Sequence, residues 1–242
     1  MTIAVLFCDP RGTYADVPGL ELWDEKRDAR LYAGPHPVVA HPPCSRWCRL
    51  AGLVEARWGH KRGQDDGEFA SALHSVRTYG GVLEHPAYSD AWDAFGLLRP
   101  PTGGGWVKFL YDPGWTCYVE QVRYGHAARK ATWLYYVGSQ PPTGMRWGFY
   151  EQTECPTYGS RWGGGRSQRQ LGGISWCGNK LKSLALVSNC GNHTAVTADR
   201  PRLTKKGAYS TPPAFRDALL ALAKVSDFRR LSEIPCAPKT PL

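Results

Sequence analysis

The apolar run Pro37-Val38-Val39-Ala40 ends in His41-Pro42-Pro43-Cys44. Proline has no backbone N–H to give to a sheet ladder, so a strand reaching this pair must stop there. The run is short, apolar and lacks polar alternation, which predicts a strand buried on both faces. In α/β sheets, ligands bind outside the carboxyl ends of such strands. Cys44 therefore has two readings, a nucleophile at a sheet edge or a small residue in a tight turn.

The rest of the chain supplies partners for that strand. Residues 3–8, 20–23, 81–84, 115–121 and 132–137 read as further strands, the one at 81–84 ended by His85-Pro86. The turn Asp9-Pro10-Arg11-Gly12 follows the first strand. Residues 65–79 read as a helix, with Asp65 or Asp66 as cap, Phe69, Leu73, Val76 and Tyr79 on one face, and Gly80-Gly81 as the stop. Residues 89–95 read as a shorter helix. A third helix is predicted over 210–223, with a hydroxyl cap, prolines in the first turn, and Phe215, Leu219, Leu222 and Ala223 on the buried face. Residues 46–64 are polar and basic and read as a mobile loop with at most a helical turn.

Composition then divides the chain. Residues 138–207 carry ten Lys/Arg against three Asp/Glu, seven of the nine net positive charges, in a background of Gly, Ser, Asn, Gln and Thr. The expected organisation is a catalytic α/β core over 1–137, a variable basic region over 138–207, a helix over 208–230 that returns to the core, and a Pro-rich tail over 231–242. A basic surface of this size favours a polyanionic partner, nucleic acid being the commonest. Ten tryptophans and twelve tyrosines add flat surfaces on which bases could stack. No apolar run approaches the roughly 20 residues that span a bilayer, and the first residues lack a basic leader, so a cytoplasmic protein with no membrane association is expected. Eight cysteines at irregular spacing do not form a disulfide framework. Cys155, Cys177, Cys190 and His193 are the candidate zinc ligands, but only Cys190 and His193 are closely spaced, so no metal is expected. Oligomeric state is not legible.

Three strand-end motifs carry chemistry: Pro42-Pro43-Cys44, Glu84-His85-Pro86 and Gln121-Val122-Arg123. Successive parallel strands end on one edge, so a thiol, a carboxylate and a guanidinium could converge there. That set suits nucleophilic addition to a pyrimidine ring. The sequence leaves the direction of the third strand open.

The order of these motifs resembles the DNA cytosine-5 methyltransferase family, and compact phage-type members above all. Pro42-Pro43-Cys44 is similar to its nucleophile motif. Leu83-Glu84-His85-Pro86 resembles Glu-Asn-Val with two replacements, and Gln121-Val122-Arg123 resembles Gln-x-Arg. Residues 5–12, Val-Leu-Phe-Cys-Asp-Pro-Arg-Gly, resemble a worn cofactor loop in which Asp9 and Arg11 replace glycines. Ser210-Thr211-Pro212-Pro213 matches the place of the final motif, which returns to the cofactor site.

The resemblance implies a Rossmann-like methyltransferase sheet with a loop-rich basic insertion, and transfer of a methyl group from S-adenosylmethionine to C5 of a flipped cytosine in DNA. It implies Cys44 as the thiolate that adds to C6, its pKa lowered by nearby positive charge. Glu84 is implied as the partner of N3 and the exocyclic amine, and Arg123 as the partner of O2 or a phosphate. Phe7, Asp9, Gly12, Asp24, Pro43 and Thr211 are the implied cofactor residues. Gln121, Arg46, Arg161, Arg166 and Arg169 are the implied DNA contacts. The ribose-binding strand of the family has no counterpart. Two other expectations stay open: the same covalent chemistry on a nucleotide or with another one-carbon donor, and a catalytically silent DNA-binding relative. Cys48, four residues after Cys44, reads as a packed thiol, or as half of a metal or redox pair.

Overall fold

A computed structural model describes residues 1–48, 51–126, 130–147 and 210–226. The protein is α/β, built on a mixed seven-stranded sheet. The strands are β1 (Ile3–Leu6), β2 (Leu20–Trp23), β3 (Val38–Ala40), β4 (Gly81–Pro86), β5 (Val107–Lys108), β6 (Trp115–Glu120) and β7 (Ala131–Val137), in the order β2-β1-β3-β4-β7-β6-β5. The first four run parallel. β7 is antiparallel to both β4 and β6, so β6 points the same way as β4. β5 is a two-residue antiparallel edge, which the sequence reading missed.

The central strands are largely apolar because both faces are covered. Ala4, Leu6, Val38, Ala40, Leu83, Tyr118 and Tyr135 point to one face, under α2 (Glu68–Tyr79). Ile3, Val5, Val39, Val82, Val119 and Leu134 point to the other, under the C-terminal helix α4 (Pro213–Val225). α2 presents Phe69, Ala72, Leu73 and Val76 at helical spacing, and α4 presents Phe215, Leu219, Leu222 and Ala223. Asp65 caps α2 from outside, accepting from the Phe69 amide at 2.8 Å and from Trp47 Nε1 at 2.7 Å.

Several expectations need correction. Residues 46–64 are not only loop: they contain α1 (Ala51–Trp58), and the segment folds back through Gly63 N to Arg46 O at 2.9 Å. β4 runs on through His85 and Pro86 before the chain turns. The 89–95 helix is the single turn α3 (Ala91–Ala94). The cap of α4 is Pro212, with no side-chain hydroxyl bond, because proline's fixed φ already suits the helix start.

The chain enters the sheet at β1, steps out to β2, and returns to β3 on the other side of β1. That reversal puts a crevice between the carboxyl ends of β1 and β3, the place where open α/β sheets bind ligands. No helix of the described residues is long and apolar enough to cross a membrane.

Candidate active site

The carboxyl ends of β3, β4 and β6 meet on one edge, and each delivers a polar side chain. His41 and Cys44 follow β3, Glu84 lies within β4, and Gln121 opens the 3-10 turn Gln121–Tyr124 directly after β6. Gln121 Nε2 donates to Glu84 Oε1 and to Thr132 Oγ1, both at 3.0 Å. His41 Nδ1 lies 3.0 Å from Glu84 Oε2, and His41 Nε2 lies 2.8 Å from the Tyr14 hydroxyl. Glu84 and Gln121 are buried. Two residues far apart in the chain thus grip opposite oxygens of one carboxyl, which is the arrangement a buried charge requires.

The electrostatics follow from that grip. Burial alone would raise the Glu84 carboxyl, but the His41 hydrogen bond and the charges of Lys130, His41 and His85 outweigh it and hold the group at about 2. The neighbouring imidazole of His85 moves the other way. It packs edge-on to Phe69 at 5.2 Å and beside Trp92, and burial pushes it down to about 4 against the pull of Glu84.

Cys44 departs from expectation. Burial, then the charges of Cys48 and Glu84, push its thiol up to about 11, with Lys130 opposing. A thiol poised as thiolate by nearby cations is not what the chain builds, because burial and the charges of Cys48 and Glu84 outweigh Lys130. The shared influence of Glu84 also places Cys44 in the same electrostatic neighbourhood as the carboxylate. Cys48 closes a helical turn on Cys44, its amide donating to the Cys44 carbonyl at 2.9 Å.

The other implied residues fall into two groups. Phe7, Asp9 and Gly12 follow β1, and Asp24 follows β2. The charges of Asp24 and Asp9 both reach Cys8, whose thiol burial has already raised to about 11, so these residues share one corner of the crevice. Phe7 holds a left-handed φ of 58°, strain of a kind that clusters at functional sites. Residues 7–19 cross to β2 in turns, without the helix whose amino end would face an anion. Pro43 is exposed beside the buried Pro42, and Arg46 is half-buried on the same turn. Thr211 lies next to Ser210, whose carbonyl accepts from Lys130 Nζ at 3.2 Å. Arg123 sits two residues past Gln121, its carbonyl bound by Arg146 Nη1 at 2.7 Å and its charge felt at Tyr124. Lys130 is the cation felt at both Cys44 and Glu84. Arg161, Arg166 and Arg169 lie outside the described residues, as do Cys155, Cys177, Cys190 and His193. Among the described residues no group of three His, Cys, Asp or Glu could hold a metal ion.

Sequence reading missed Tyr14, His41 and Lys130. His41 had a signal, being a polar residue between a buried strand and the prolines. Tyr14 and Lys130 had none, because only the fold brings them to Glu84. No family model, curated protein or solved structure matches this chain.

Proposed function

We propose that the protein is a DNA (cytosine-5)-methyltransferase whose Cys44 adds to C6 of an extruded cytosine. The single observation that carries this reading is the placing of Cys44, Glu84 and Gln121 at the sheet edge where β3, β4 and β6 end, with Glu84 held by Gln121 at 3.0 Å. The site lies beside the β1/β3 reversal of a Rossmann-like sheet. Addition of sulfur to C6 turns C5 into an enamine-like carbon. Glu84 faces N3 and the exocyclic amine, where charge changes as the adduct forms. Gln121 keeps the carboxyl in that orientation, and Lys130 offsets the charge that the thiolate brings.

The raised thiol means that Cys44 is not reactive at rest. The attacking thiolate is the minority form, reached when the thiol gives its proton to water, and the positive charge of Lys130 favours it. Phe7, Asp9, Gly12 and Asp24 would hold S-adenosylmethionine, with Pro43 and Thr211 at its reactive end. The two carboxylates that converge on Cys8 suit the hydroxyls of a nucleoside. When bound, that group supplies an electrophilic methyl on a sulfonium. The cytoplasmic compartment, and a host infected by a phage, belong to this reading as well.

A second reading is favoured by the turn-only connection between β1 and β2, which lacks an anion-binding helix start. It keeps the same covalent chemistry but uses a nucleotide substrate or another one-carbon donor.

The test is covalent trapping. DNA duplexes with 5-fluorocytosine in varied contexts are incubated with the protein, with and without S-adenosylmethionine. A denaturation-resistant complex that disappears in Cys44→Ala is the expected result. Methyl transfer that survives Cys44→Ala overturns the mechanism. Trapping of a free fluorinated nucleotide in preference to DNA selects the second reading. DNA binding with neither adduct nor product identifies a catalytically silent relative.

A further inference from the structure

Tyr14, His41 and Glu84 form a line of three groups, and the chemistry described so far uses only the last. The His41 amide donates to the Leu6 carbonyl at 3.0 Å, which fixes the backbone beside β1. Its ring is then gripped on both nitrogens, by Glu84 Oε2 at 3.0 Å and by the Tyr14 hydroxyl at 2.8 Å. Tyr14 is buried, its ring centroid is 5.5 Å from the imidazole, and its loop is tied to α4 by Arg216 Nη1 on the Thr13 carbonyl at 2.8 Å. An imidazole with one nitrogen on a carboxylate and the other on a phenol can carry a proton on each.

Resting on the cytosine reading, we propose that His41 is the positioning residue that stores the proton Glu84 hands to N3 of the base, with Tyr14 fixing the tautomer and tilt of its ring. The proton accounting closes. As the thiolate bonds to C6, the C5=C6 pair moves to C4–C5 and the C4=N3 pair moves onto N3. The proton that N3 takes leaves His41 Nδ1 and crosses the Glu84 carboxylate, so Glu84 is ionised before and after the step and the imidazole ends neutral. C5 then takes the methyl from the donor, the C4=C5 pair forming the new C–C bond and the N3 lone pair re-forming C4=N3, and the N3 proton returns through Glu84 to His41. Water next removes the C5 proton, that C–H pair re-forms C5=C6, and the C6–S bond breaks with its pair leaving on sulfur.

Groups from every surrounding element face this line. Cys44 reaches Glu84 from the turn after β3, His85 from β4 and Lys130 from the start of β7. Cys8, Arg216 and Asp217 reach Tyr14.

Two measurements on the full chain decide the matter. The first is the rate of adduct formation with 5-fluorocytosine DNA against pH. A requirement for Cys44 thiolate alone gives about a tenfold rise per pH unit up to the thiol's own pKa. The wild type should instead level off well below the thiol's own pKa, because the stored proton is needed as well. His41→Asn keeps a hydrogen-bonding amide but cannot store a proton, and should climb without levelling. The second is the carbon-13 shift of the Glu84 carboxyl against pH, whose midpoint should rise by about one unit or more in His41→Asn. Tyr14→Phe, which removes one oxygen, should move the same midpoint upward by less, and it keeps the test alive if His41→Asn does not fold. Equal pH slopes in wild type and His41→Asn overturn the proton-storing role even if the carboxyl midpoint moves. Unmoved carboxyl midpoints overturn the pairing itself. If the wild type forms no adduct, the cytosine reading fails first and this role goes with it. A normal adduct with equal slopes removes only the role of His41.

Discussion

The two halves of the strand-end edge are built from different material. Around β3, β4 and β6, the polar groups are buried and bound to one another: Gln121, Glu84, His41 and Tyr14 form one continuous network. Around β1 and β2, the polar groups sit in turns and close locally. Asp9 accepts from the Arg11 amide two residues on, and Asp24 from the Arg27 amide three residues on. Arg27 also lies 3.9 Å over the Trp23 ring and 2.9 Å from Glu21. The proposed base side is therefore assembled before any ligand arrives, whereas the proposed donor side offers carboxylates that already have local partners. Pre-assembled polar groups are costly to disturb, and locally satisfied ones are not.

The sharpest way to break that contrast is to remove the carboxyl at its centre. Glu84→Ala leaves Gln121 Nε2 and His41 Nδ1 facing a buried gap, and should lower unfolding free energy in denaturant by about 3–5 kcal/mol. Asp24→Asn, on the other half, should change it by no more than about 0.5 kcal/mol. Similar values for the two variants would show that the base side is no more pre-assembled than the donor side.

Backbone packing gives the next largest effect. Gly81 has a φ of 115°, and a Cβ there would stand 2.0 Å from the Val38 carbonyl on β3. Only glycine lets β3 and β4 pair at this register. Gly12 has no left-handed φ, and its Cβ would meet the Asp9 carbonyl at 2.9 Å within a single turn. Gly81→Ala should cost about 3 kcal/mol, and Gly12→Ala about 1 kcal/mol or less. Thermal unfolding of the two variants side by side reads the difference.

The same division governs what was legible in the sequence. Apolar runs bounded by turn residues made β1, β3, β4, β6 and β7 recognisable, since strands covered on both faces need no alternation, and the half-buried edge strand β2 was found from Leu20, Leu22 and Trp23. The edge strand β5 escaped because two residues, Val107 and Lys108, carry no pattern. α1 escaped because its segment is dominated by Arg and Gly on either side, while its own eight residues bury only Ala51. At the site, Cys44, Glu84 and Gln121 were legible because each lies at or just past the end of an apolar run in the sequence. The upward shift of the Cys44 thiol was not, because charge counted along the chain is basic, whereas burial, which the sequence does not show, dominates at this sulfur, with Cys48 and Glu84 adding to it. Tyr14 and Lys130 reach the site only through the crossing from β1 to β2 and the antiparallel insertion of β7.

Titration provides a smaller and separable effect. The folded Glu84 carboxyl is held near 2, below its ordinary 4.5. A depressed carboxyl stabilises the fold fully above the unfolded value and loses that contribution as pH falls through the folded one. The stability difference between wild type and Glu84→Gln should thus be constant above pH 4.5 and shrink between pH 4.5 and about 2. The Cys44 thiol runs in the opposite sense. Its folded value is raised from 9.0 to about 11, so its contribution is complete below pH 9 and lost as pH rises toward 11. Chemical denaturation at stepped pH measures both windows in one series. A wild-type-to-Glu84→Gln difference that stays flat down to pH 2 would contradict the ionised, hydrogen-bonded carboxylate.

The mildest probe compares one thiol from each half. Cys8 and Cys44 are both raised to about 11, chiefly by burial, but different charges surround them. Asp24 and Asp9 reach Cys8, whereas Lys130 opposes the rise at Cys44. Lys130→Met removes the opposing charge from one thiol only. Alkylation by iodoacetamide at a fixed pH near 9, read residue by residue by mass spectrometry, should slow at Cys44 by about two- to fivefold, the size of a partly screened single charge. The rate at Cys8 should not move. Equal slowing at both thiols would mean that the substitution loosened the fold. Slowing at neither would remove Lys130 from the electrostatics of the pocket and return the cationic role to Arg123, which follows Gln121 by two residues.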